Sequence, residues 1–334
     1  MTDSPCCDDL VSVVMPTHNR ADRLMWALRS VLDQDHRSIE VIVVDDGSRD
    51  RTREVLAAVD DPRLRPIHLS PNGGVAAARN AGIAAATGRW VAFIDDDDYW
   101  LPTKLSAQIE AMRSTDARWC ITSALEVSPS LEPLAFAHVS PGMTSEWLLG
   151  SNVIPGGCSG VMVERALVVE TGGFDTSLSM FADWELWTRL IIAAEPPAMV
   201  HAPQVLYVVH PGQMSADQSR SERELATIRD RFREQRRSER GGSGDRFPMV
   251  AWAVRRARVN AGLRTGLRTA WHVRGMVPRE MVLPVVIIHL APNWARGVRA
   301  RRQTAQLRTR RDVIEALAGV EPPTKGEQTC PTGS

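Results

Sequence analysis

The first hundred residues alternate short apolar segments with helical ones, and this alternation restricts the possible folds more than any other feature. The predicted strands are LVSVVMP from residue 10, IEVIVVDDGS from 39, RPIHLS from 65 and WVAFID from 90. The segments between them carry apolar residues at helical spacing. Such alternation predicts an α/β fold with a doubly wound, mostly parallel sheet and flanking helices.

Two acidic clusters follow predicted strands of this sheet. Asp45 and Asp46 end the second strand, and four aspartates at 95–98 end the fourth. Ligands of doubly wound sheets bind beyond the carboxyl ends of the strands, so both clusters mark the expected site. Neighbouring carboxylates raise one another's pKa, and some partner must compensate their charge. Mg²⁺ and Mn²⁺ prefer carboxylate oxygens, and Asp95 and Asp97 would point to one side of an extended chain. The cluster therefore predicts a cation–diphosphate site, with a solvated acidic turn as the alternative.

The later part of the chain carries weaker signals. TKLSAQIEAM predicts a helix, RWCITSALEV a strand, DWELWTRLIIAA a helix opened by Asp183, and QVLYVVH a strand. The alanine-rich helix GVAAARNAGIAAATG is expected to stop at Gly88, because glycine suits the residue that follows a helix.

Charge divides the chain into an acidic front and a basic back. The formal net charge is zero, but residues 251–311 contain 14 arginines and a single acidic residue, so this segment carries +13 and the rest −13. We expect a flexible N-terminus over 1–9, an α/β domain over 10–216, an Arg-rich helical C-terminal region over 217–320 and a disordered tail over 321–334.

The basic segment 251–311 admits three interpretations. It is a helical extension that packs on the α/β domain or on a second subunit of a homodimer, or it is an interfacial element that meets anionic lipid headgroups. Trp252, Trp271, Trp294 and the apolar run MVLPVVIIHL, interleaved with arginine, suit the second interpretation. Binding of an anionic acceptor or of nucleic acid is the third. Nucleic acid is the weakest partner, because the segment lacks aromatic RNA-binding motifs.

Cysteine use and hydropathy bear on the compartment. The five cysteines are odd in number and lack C-x-x-C spacing, which favours a reducing compartment. The acidic N-terminus MTDSPCCDDL does not resemble a signal peptide, and the apolar run over 281–292 is shorter than the roughly 20 residues of a membrane span. We expect a cytoplasmic protein, with peripheral attachment to the inner face of the membrane as the alternative.

Six short motifs occur in the order MPTHNR, VVDDGSRD, GGVAAARNAG, FIDDDD, GGFD and ADWELW. Each is weak alone, but together, over residues 10–215, they resemble the inverting family 2 glycosyltransferases of the GT-A fold. The resemblance implies a nucleoside-diphosphate-sugar donor, with UDP preferred, a divalent Mn²⁺ or Mg²⁺, and transfer with inversion at the anomeric carbon. The acceptor stays open among glycans, lipid-linked intermediates, peptides and natural products.

The resemblance implies that one group of residues binds the nucleotide. These are Pro16, Thr17 and Asn19 at the nucleoside pocket with Arg20 beside them, Asp45 or Asp46 at the base with Asp45 preferred, and Arg79 near the base and diphosphate, with Asn80 and Gly82 completing its motif. The alternatives are a helix-capping turn for the Asp45 cluster and a surface arginine on an apolar helix for Arg79.

The aspartate cluster corresponds to the family's DxDD-like element. Asp95, Asp97 and Asp98 match its recurring acids, and Asp96 takes the variable position in the nucleotide site. The resemblance implies that Asp97 is a direct metal ligand and that Asp95 contacts the ribose or the metal. His210, after the last predicted strand, is a second metal or diphosphate contact, with a structural role as the alternative.

Asp183 in ADWELW matches the family's catalytic base, which deprotonates the acceptor as a carboxylate does in inverting hydrolases. A simple helix N-cap is the compatible alternative. The family more often has Glu-Asp here, but Ala182 stands first in this chain, and Glu185 is the candidate replacement. Trp184 and Trp187 are candidates for the wall of the acceptor pocket, with the core as an equal alternative for Trp187.

Two other functions remain open. A glycosyltransferase-like binding or scaffold protein without turnover would keep the nucleotide site, and Ala182 keeps that alternative open. A sugar-nucleotide nucleotidyltransferase would open its sheet on a Gly-rich loop with basic residues, which VSVVMPTHNR lacks. A Rossmann dehydrogenase is disfavoured because no G-x-G-x-x-G follows the first strand.

Overall fold

The computed structural model describes residues 9–139, 154–193, 196–210, 218–232, 313 and 317–322. Three segments lie outside these residues: nearly all of the expected flexible N-terminus, the basic segment 251–311 and most of the expected tail. What the sequence predicts for these segments therefore stays a prediction. No helix in the described part of the chain is long and apolar enough to cross a membrane.

The described strands form one mixed sheet. They are β1 (Val11–Thr17), β2 (Ile39–Asp45), β3 (Leu64–His68), β4 (Trp90–Phe93), β5 (Tyr99–Trp100), β6 (Trp119–Val127), β7 (Pro133–Ala137), β8 (Val161–Glu164) and β9 (Ala198–Val208). The order is β3-β2-β1-β4-β8-β6-β9-β5, with β7 paired to β6. The first four strands run parallel, whereas β8 is antiparallel to both of its neighbours.

Helices flank this sheet. They are α1 (Ala21–Leu32), α2 (Thr52–Ala57), α3 (Val75–Ala85), α4 (Lys104–Thr115), α5 (Arg165–Glu170), α6 (Ala182–Ile192) and α7 (Gln218–Arg231). The predicted α/β class is confirmed.

The parallel half of the sheet is buried on both faces. Every residue of β1, β2 and β4 is buried, as expected of strands covered by helices on both sides. Alternate residues of β1 enter different apolar clusters, with Val14 on one face and Val13 on the other. The register sets Thr17 beside Asp45, and Asp45 beside His68. The carboxyl ends of β1, β2 and β3 therefore meet at one edge.

Two short strands were not predicted from the sequence. β5 pairs with β9, with Tyr99 opposite Leu206, and β7 pairs with β6. β5 has only two residues, so it is too short to show an alternating pattern in the sequence. Its position depends on pairing with a strand far along the chain. β5 matters for the site, since it fixes the chain immediately after the four aspartates.

Glycines allow α3 to lie close to β1. A Cβ on Gly82 would lie 2.4 Å from Val14 Cγ1, so only glycine fits there. The predicted helix stop at Gly88 is wrong, because α3 already ends at Ala85. A Cβ on Gly88 would lie 2.4 Å from Leu10 O. Gly88 therefore permits close approach to β1 rather than a helix cap.

The described parts of the C-terminal region pack on the α/β domain. Ile228 and Phe232, on and just after α7, are buried in the same apolar cluster as Trp187 of α6. Val313 is buried in another cluster with Leu206 and other residues of β6 and β9. These contacts tie residues 218–232 and 313 to the α/β domain, while the basic segment 251–311, for which packing was one interpretation, lies outside the described residues.

Candidate functional site

Asp46 ties together the loops that follow β1, β2 and β3. Its backbone N donates to Thr17 O at 2.9 Å, and its carboxylate accepts from the N–H groups of Gly73 at 2.8 Å and Gly74 at 2.7 Å. The amide of Asn72 donates to Asp46 O at 2.9 Å. Asp46 therefore holds the walls of the expected nucleoside pocket in place through backbone contacts.

Asn19 connects the β1 loop to the β2 loop. Its N–H donates to Ser48 Oγ, and its Oδ1 accepts from Arg49 N, both at 2.8 Å. Its φ of 53° is left-handed, a conformation that asparagine tolerates better than most residues. Asn19 is exposed, whereas Pro16 is a buried residue of β1 opposite Val44.

Asp45 is completely buried and already hydrogen-bonded. Its Oδ1 accepts from Ser48 N at 2.9 Å, and its Oδ2 lies 2.9 Å from His68 Nδ1 and 3.3 Å from Arg53 Nε. Burial alone would raise the pKa of this carboxyl, but the hydrogen bonds, beginning with those from Ser48 and His68, outweigh burial and lower it. A base that bonds Asp45 must share or displace one of these partners.

The four aspartates alternate in exposure. Asp95 and Asp97 are half-buried, while Asp96 and Asp98 are buried. The two more exposed aspartates are the pair expected to face a ligand, but Asp95 to Asp98 form a turn, with Asp98 N donating to Asp95 O at 3.1 Å, rather than an extended chain. Asp95 and Asp97 lie beside arginines, whereas Asp96 and Asp98 accept from neutral hydroxyls.

The buried pair of aspartates serves the scaffold. Thr17 Oγ1 donates to Asp96 Oδ2 at 2.7 Å, and Ser159 Oγ donates to Asp98 Oδ2 at 2.6 Å. Val208 N donates to Asp98 Oδ1 at 3.2 Å. Burial raises the pKa of Asp96 to about 7 and the pKa of Asp98 well above its usual value. These two side chains anchor the turn to β1 and β9.

Asp97 and His210 form the most suitable pair for a divalent cation. His210 Nε2 lies 2.7 Å from Asp97 Oδ2, and Arg20 Nη1 lies 3.7 Å from the same oxygen. No group of three or more metal-binding side chains occurs in the described ranges. Mn²⁺ accepts imidazole and carboxylate donors, and Mg²⁺ is commonly bound by one or two carboxylates plus substrate phosphates. The residues therefore fit a metal whose coordination a diphosphate completes.

Arg79 is a buried cation that pairs with Asp95. Its Nη2 donates to Asp95 Oδ1, and its guanidinium carbon lies 5.3 Å from the centroid of the Phe174 ring. Burial would lower its pKa, but the surrounding negative charge, including that of Asp95 and Asp183, raises it. Its Nε has no hydrogen-bond partner among the described residues. Arg79 is thus no surface arginine.

The motif residues beside Arg79 have structural roles. Asn80 Nδ2 donates to Phe174 O and its Oδ1 accepts from Phe174 N, both at 2.8 Å. Gly173 has a φ of 66°, and a Cβ there would lie 2.6 Å from Asn80 Oδ1. The GGVAAARNAG and GGFD motifs are therefore joined to each other, which fixes α3 and with it Arg79.

Asp183 lies in the first turn of α6, where it is the one residue between Phe181 and Thr188 that is not buried. The helix begins at Ala182 and its N-cap is Phe181, so the predictions that Asp183 opens or caps the helix are wrong by one or two residues. Trp184 N donates to Asp183 Oδ1 at 2.6 Å, and a Cβ on Gly157 would lie 3.8 Å from Asp183 Oδ2. One oxygen is thus oriented by the helix, and the other faces a residue without a side chain.

Three neighbours of Asp183 belong to the interior. Trp184 and Trp187 are both buried, and Trp187 stacks on Trp119 with ring centroids 6.2 Å apart. The expectation that these tryptophans wall an acceptor pocket is not supported. Glu185 is buried in ion pairs with Arg189 and Arg231, each at 2.7 Å. Glu185 therefore does not replace the acid missing at Ala182.

Sequence reasoning missed Ser159. Its hydroxyl donates to Asp98 and accepts from Asp95 N at 3.0 Å, and its carbonyl accepts from Trp100 Nε1 at 2.9 Å. Ser159 therefore fixes both ends of the aspartate turn. The only sequence signal was the glycine-rich stretch PGGCSG, in which Gly156 and Gly157 adopt positive φ.

Sequence comparison with known proteins shows the family of this chain. A model of glycosyl transferase family 2 matches residues 12–151. The putative colanic acid biosynthesis glycosyl transferase WcaA of Escherichia coli (strain K12) is 30% identical over 216 residues, which are 63% of this chain and 76% of WcaA. This chain belongs to glycosyl transferase family 2.

Other relatives of this family 2 chain extend the comparison. The putative teichuronic acid biosynthesis glycosyltransferase TuaG of Bacillus subtilis (strain 168) is 38% identical over 47% of the chain and 62% of TuaG. WfaP of Escherichia coli, a UDP-Glc:alpha-D-GlcNAc-diphosphoundecaprenol beta-1,3-glucosyltransferase, is 28% identical over 63% of the chain and 81% of WfaP. The chain thus spans less than two thirds of TuaG.

Solved structures confirm the predicted GT-A-type fold. TarS 1–349 of S. aureus in complex with UDP-GlcNAc matches with a TM-score of 0.58 at 17% identity, over 88% of this chain and 89% of TarS 1–349. The mannosyltransferase PcManGT of Pyrobaculum calidifontis in complex with GDP-Man and Mn²⁺ matches with a TM-score of 0.53 at 20% identity, over 92% of this chain and 85% of PcManGT. At these identities the likeness establishes the fold.

Proposed function

We propose that this family 2 chain is a metal-dependent inverting glycosyltransferase that moves a sugar from a nucleoside-diphosphate-sugar to an acceptor hydroxyl, with Asp183 as general base. One observation carries the proposal: in the segments after β4 and β9, the half-buried carboxylate of Asp97 lies 2.7 Å from His210 Nε2, and the buried guanidinium of Arg79 bonds the nearby Asp95. Carboxylates, an imidazole and a fixed cation are thus gathered around one turn. This arrangement supports a site for a metal and a diphosphate at the aspartate turn.

The base has the exposure that its role requires. Asp183 is half-buried in an otherwise buried turn, so part of its side chain is open to solvent. In the proposed reaction this carboxylate takes the proton of the acceptor hydroxyl as the hydroxyl oxygen attacks the anomeric carbon. The bond to the nucleoside diphosphate breaks on the opposite face, which inverts the configuration, as in inverting hydrolases.

The donor's diphosphate would lie at Asp97 and His210. These residues would hold Mn²⁺ or Mg²⁺ with open positions for phosphate oxygens, and Arg20 adds a positive charge 3.7 Å from Asp97. When bound, the metal stabilises the negative charge of the leaving nucleoside diphosphate. Arg79 adds a second fixed cation through its contact with Asp95.

UDP is the proposed nucleotide. The name of WfaP specifies UDP-Glc, and TarS has been solved with UDP-GlcNAc. PcManGT was solved with GDP-Man, so guanine is the second base to test. In this chain the base would approach Asp45, where the partner most easily displaced is Arg53, because its side chain is 54% exposed and its bond is 3.3 Å long.

A saccharide carried on a lipid diphosphate is the first acceptor class to test. WfaP acts on a diphosphoundecaprenol-linked sugar by its name, and TuaG and WcaA are named for the biosynthesis of teichuronic acid and colanic acid. A lipid-linked acceptor is compatible with the proposed contact of the basic segment 251–311 with a membrane surface.

The base assignment is tested with Asp183→Asn. This variant should lose transfer from UDP-sugars to a lipid-linked acceptor and keep its affinity for UDP within about two-fold, because the substitution removes the proton acceptor and not the donor site. Asp116→Asn, an exposed substitution after α4, is the control and should transfer normally. Normal turnover by Asp183→Asn would show that the base assignment is wrong. UDP binding without any consumption of donor by the unmodified chain would favour the scaffold alternative.

A further inference from the structure

Helix α7 holds the segment that leads into the helix of Asp183. Glu224 Oε1 accepts from Ser179 N at 3.1 Å and Ser179 Oγ at 2.8 Å, and its Oε2 accepts from Met180 N at 2.8 Å and Phe181 N at 3.0 Å. One buried carboxylate therefore satisfies three successive backbone amides. Hydrogen bonds to an ionised acceptor are about twice as strong as neutral ones.

A second contact of α7 lies on the other side of Asp183. Arg231 Nη1 lies 2.7 Å from Glu185 Oε1 and 2.7 Å from Asp175 Oδ2. Between Glu224 and Arg231, Ile228 is fully buried in the apolar cluster shared with α6. Because residues seven apart lie on the same face of a helix, one face of α7 contacts the segment that leads into α6, through Glu224, and α6 itself after Asp183, through Arg231.

The orientation of the Asp183 carboxylate depends on this turn. Its Oδ1 accepts from Trp184 N at 2.6 Å, so the direction of Oδ2 follows the backbone of the first turn of α6. Phe181 is the N-cap of that helix, and its N–H is bonded to Glu224. A shift of the cap would therefore move the carboxylate relative to Gly157 and Arg79.

We propose that α7 positions the base, with Glu224 as the positioning residue. The inference rests on the proposed function, since it takes Asp183 as the group that accepts the proton. A displacement of about 1 Å can cost on the order of a hundred-fold in rate. The sequence conceals this role, because SERELATIRDRFREQ has the composition of an ordinary charged surface helix.

The experiment compares Glu224→Gln and Glu224→Ala in the full chain. Asp230→Asn is the control, since it removes an exposed carboxylate from the same helix. Amide hydrogen exchange is followed over residues 179–187 and over β4, together with kcat, the donor KM and the Kd for UDP. Gln keeps one carbonyl acceptor and the shape of the side chain, so it remains informative if the alanine variant does not fold.

We expect exchange over residues 179–187 to accelerate at least about ten-fold in Glu224→Gln while β4 is unchanged. We expect kcat to fall about ten-fold in the glutamine variant and about a hundred-fold in the alanine variant, with KM and Kd within about two-fold. A purely structural role would instead lower the active fraction in the binding titration and leave kcat per active site unchanged.

The outcomes separate the two proposals. Unchanged exchange in Glu224→Gln would overturn the inference, and so would faster exchange with normal kcat, since Asp183 would then not need this support. If the unmodified chain has no transferase activity, the proposed function is refuted, and with it the role of Glu224 in catalysis. Faster exchange in Glu224→Gln would then still show that Glu224 holds residues 179–181 in place.

Discussion

Glu40 provides a test of the sheet that supports the site. This buried residue of β2 accepts from Ser12 Oγ at 2.6 Å and from Thr87 N and Oγ1, each at 2.7 Å, and it pairs with Arg65. Burial would raise the pKa of its carboxyl, but these hydrogen bonds outweigh burial and lower the pKa to about 2. One carboxylate thus joins β1, β2, β3 and the segment after α3.

The pKa shift sets the size of the expected effect. A decrease from 4.5 to about 2 corresponds to about 3 kcal/mol of stability when the carboxyl is ionised. Glu40→Gln keeps one acceptor oxygen, and Arg65 is partly exposed and screened by solvent, so we expect a loss of about 2 kcal/mol at pH 7. Because the pKa of the folded state is depressed, this stability is present above pH 4.5 and is lost as the pH falls towards 2.

Urea unfolding of both proteins at two pH values measures the effect. The difference in unfolding free energy should decrease from about 2 kcal/mol at pH 7 to about 1 kcal/mol at pH 3. Glu110→Gln, an exposed substitution on α4, should change stability by no more than about 0.5 kcal/mol. A Glu40→Gln protein of unchanged stability, or a difference that does not depend on pH, would refute this reasoning.

Two further substitutions on α3 test its packing on β1 and its part in binding the donor. Gly82→Ala should lower the free energy of unfolding by about 1–3 kcal/mol, because the new Cβ would lie 2.4 Å from Val14 Cγ1 and a packed core resists overfilling. Urea unfolding measures this loss of stability, and adding Val14→Ala should recover part of it. Arg79→Lys should weaken UDP binding by at least about ten-fold in calorimetry. Lysine lacks the planar guanidinium with which Arg79 bonds Asp95 and lies over the Phe174 ring. Unchanged affinity for UDP would show that Arg79 is not part of the donor site.

The sequence predicted features that depend on local pattern. Short apolar segments predicted β1, β2 and β4, and the carboxylates that follow them predicted a site at the ends of these strands. The strands are present because strand periodicity is a property of a short segment. Asp95 to Asp98 form a turn rather than an extended chain, and the site they mark stays a prediction.

The features missed depend on contacts between distant segments. Gly88 looked like a helix stop, but its true constraint is the carbonyl of Leu10. Ser159 is joined to the aspartate turn from more than sixty positions along the chain, and Glu224 bonds Phe181 from the start of a region that sequence had separated from the α/β domain. No periodicity records such pairings, so a structure is needed to find them.

The most direct test of the account is whether a nucleoside diphosphate and a metal bind together at Asp97 and His210. A thermal-shift series with UDP and GDP, each with and without Mn²⁺, would compare the unmodified chain with Asp97→Ala. We expect UDP at a hundred-fold excess over its Kd to add about 2.7 kcal/mol of stability, only with Mn²⁺ and only in the unmodified chain. A shift of equal size without metal, or in Asp97→Ala, would contradict the proposed metal site, and no shift with either nucleotide would contradict the donor assignment.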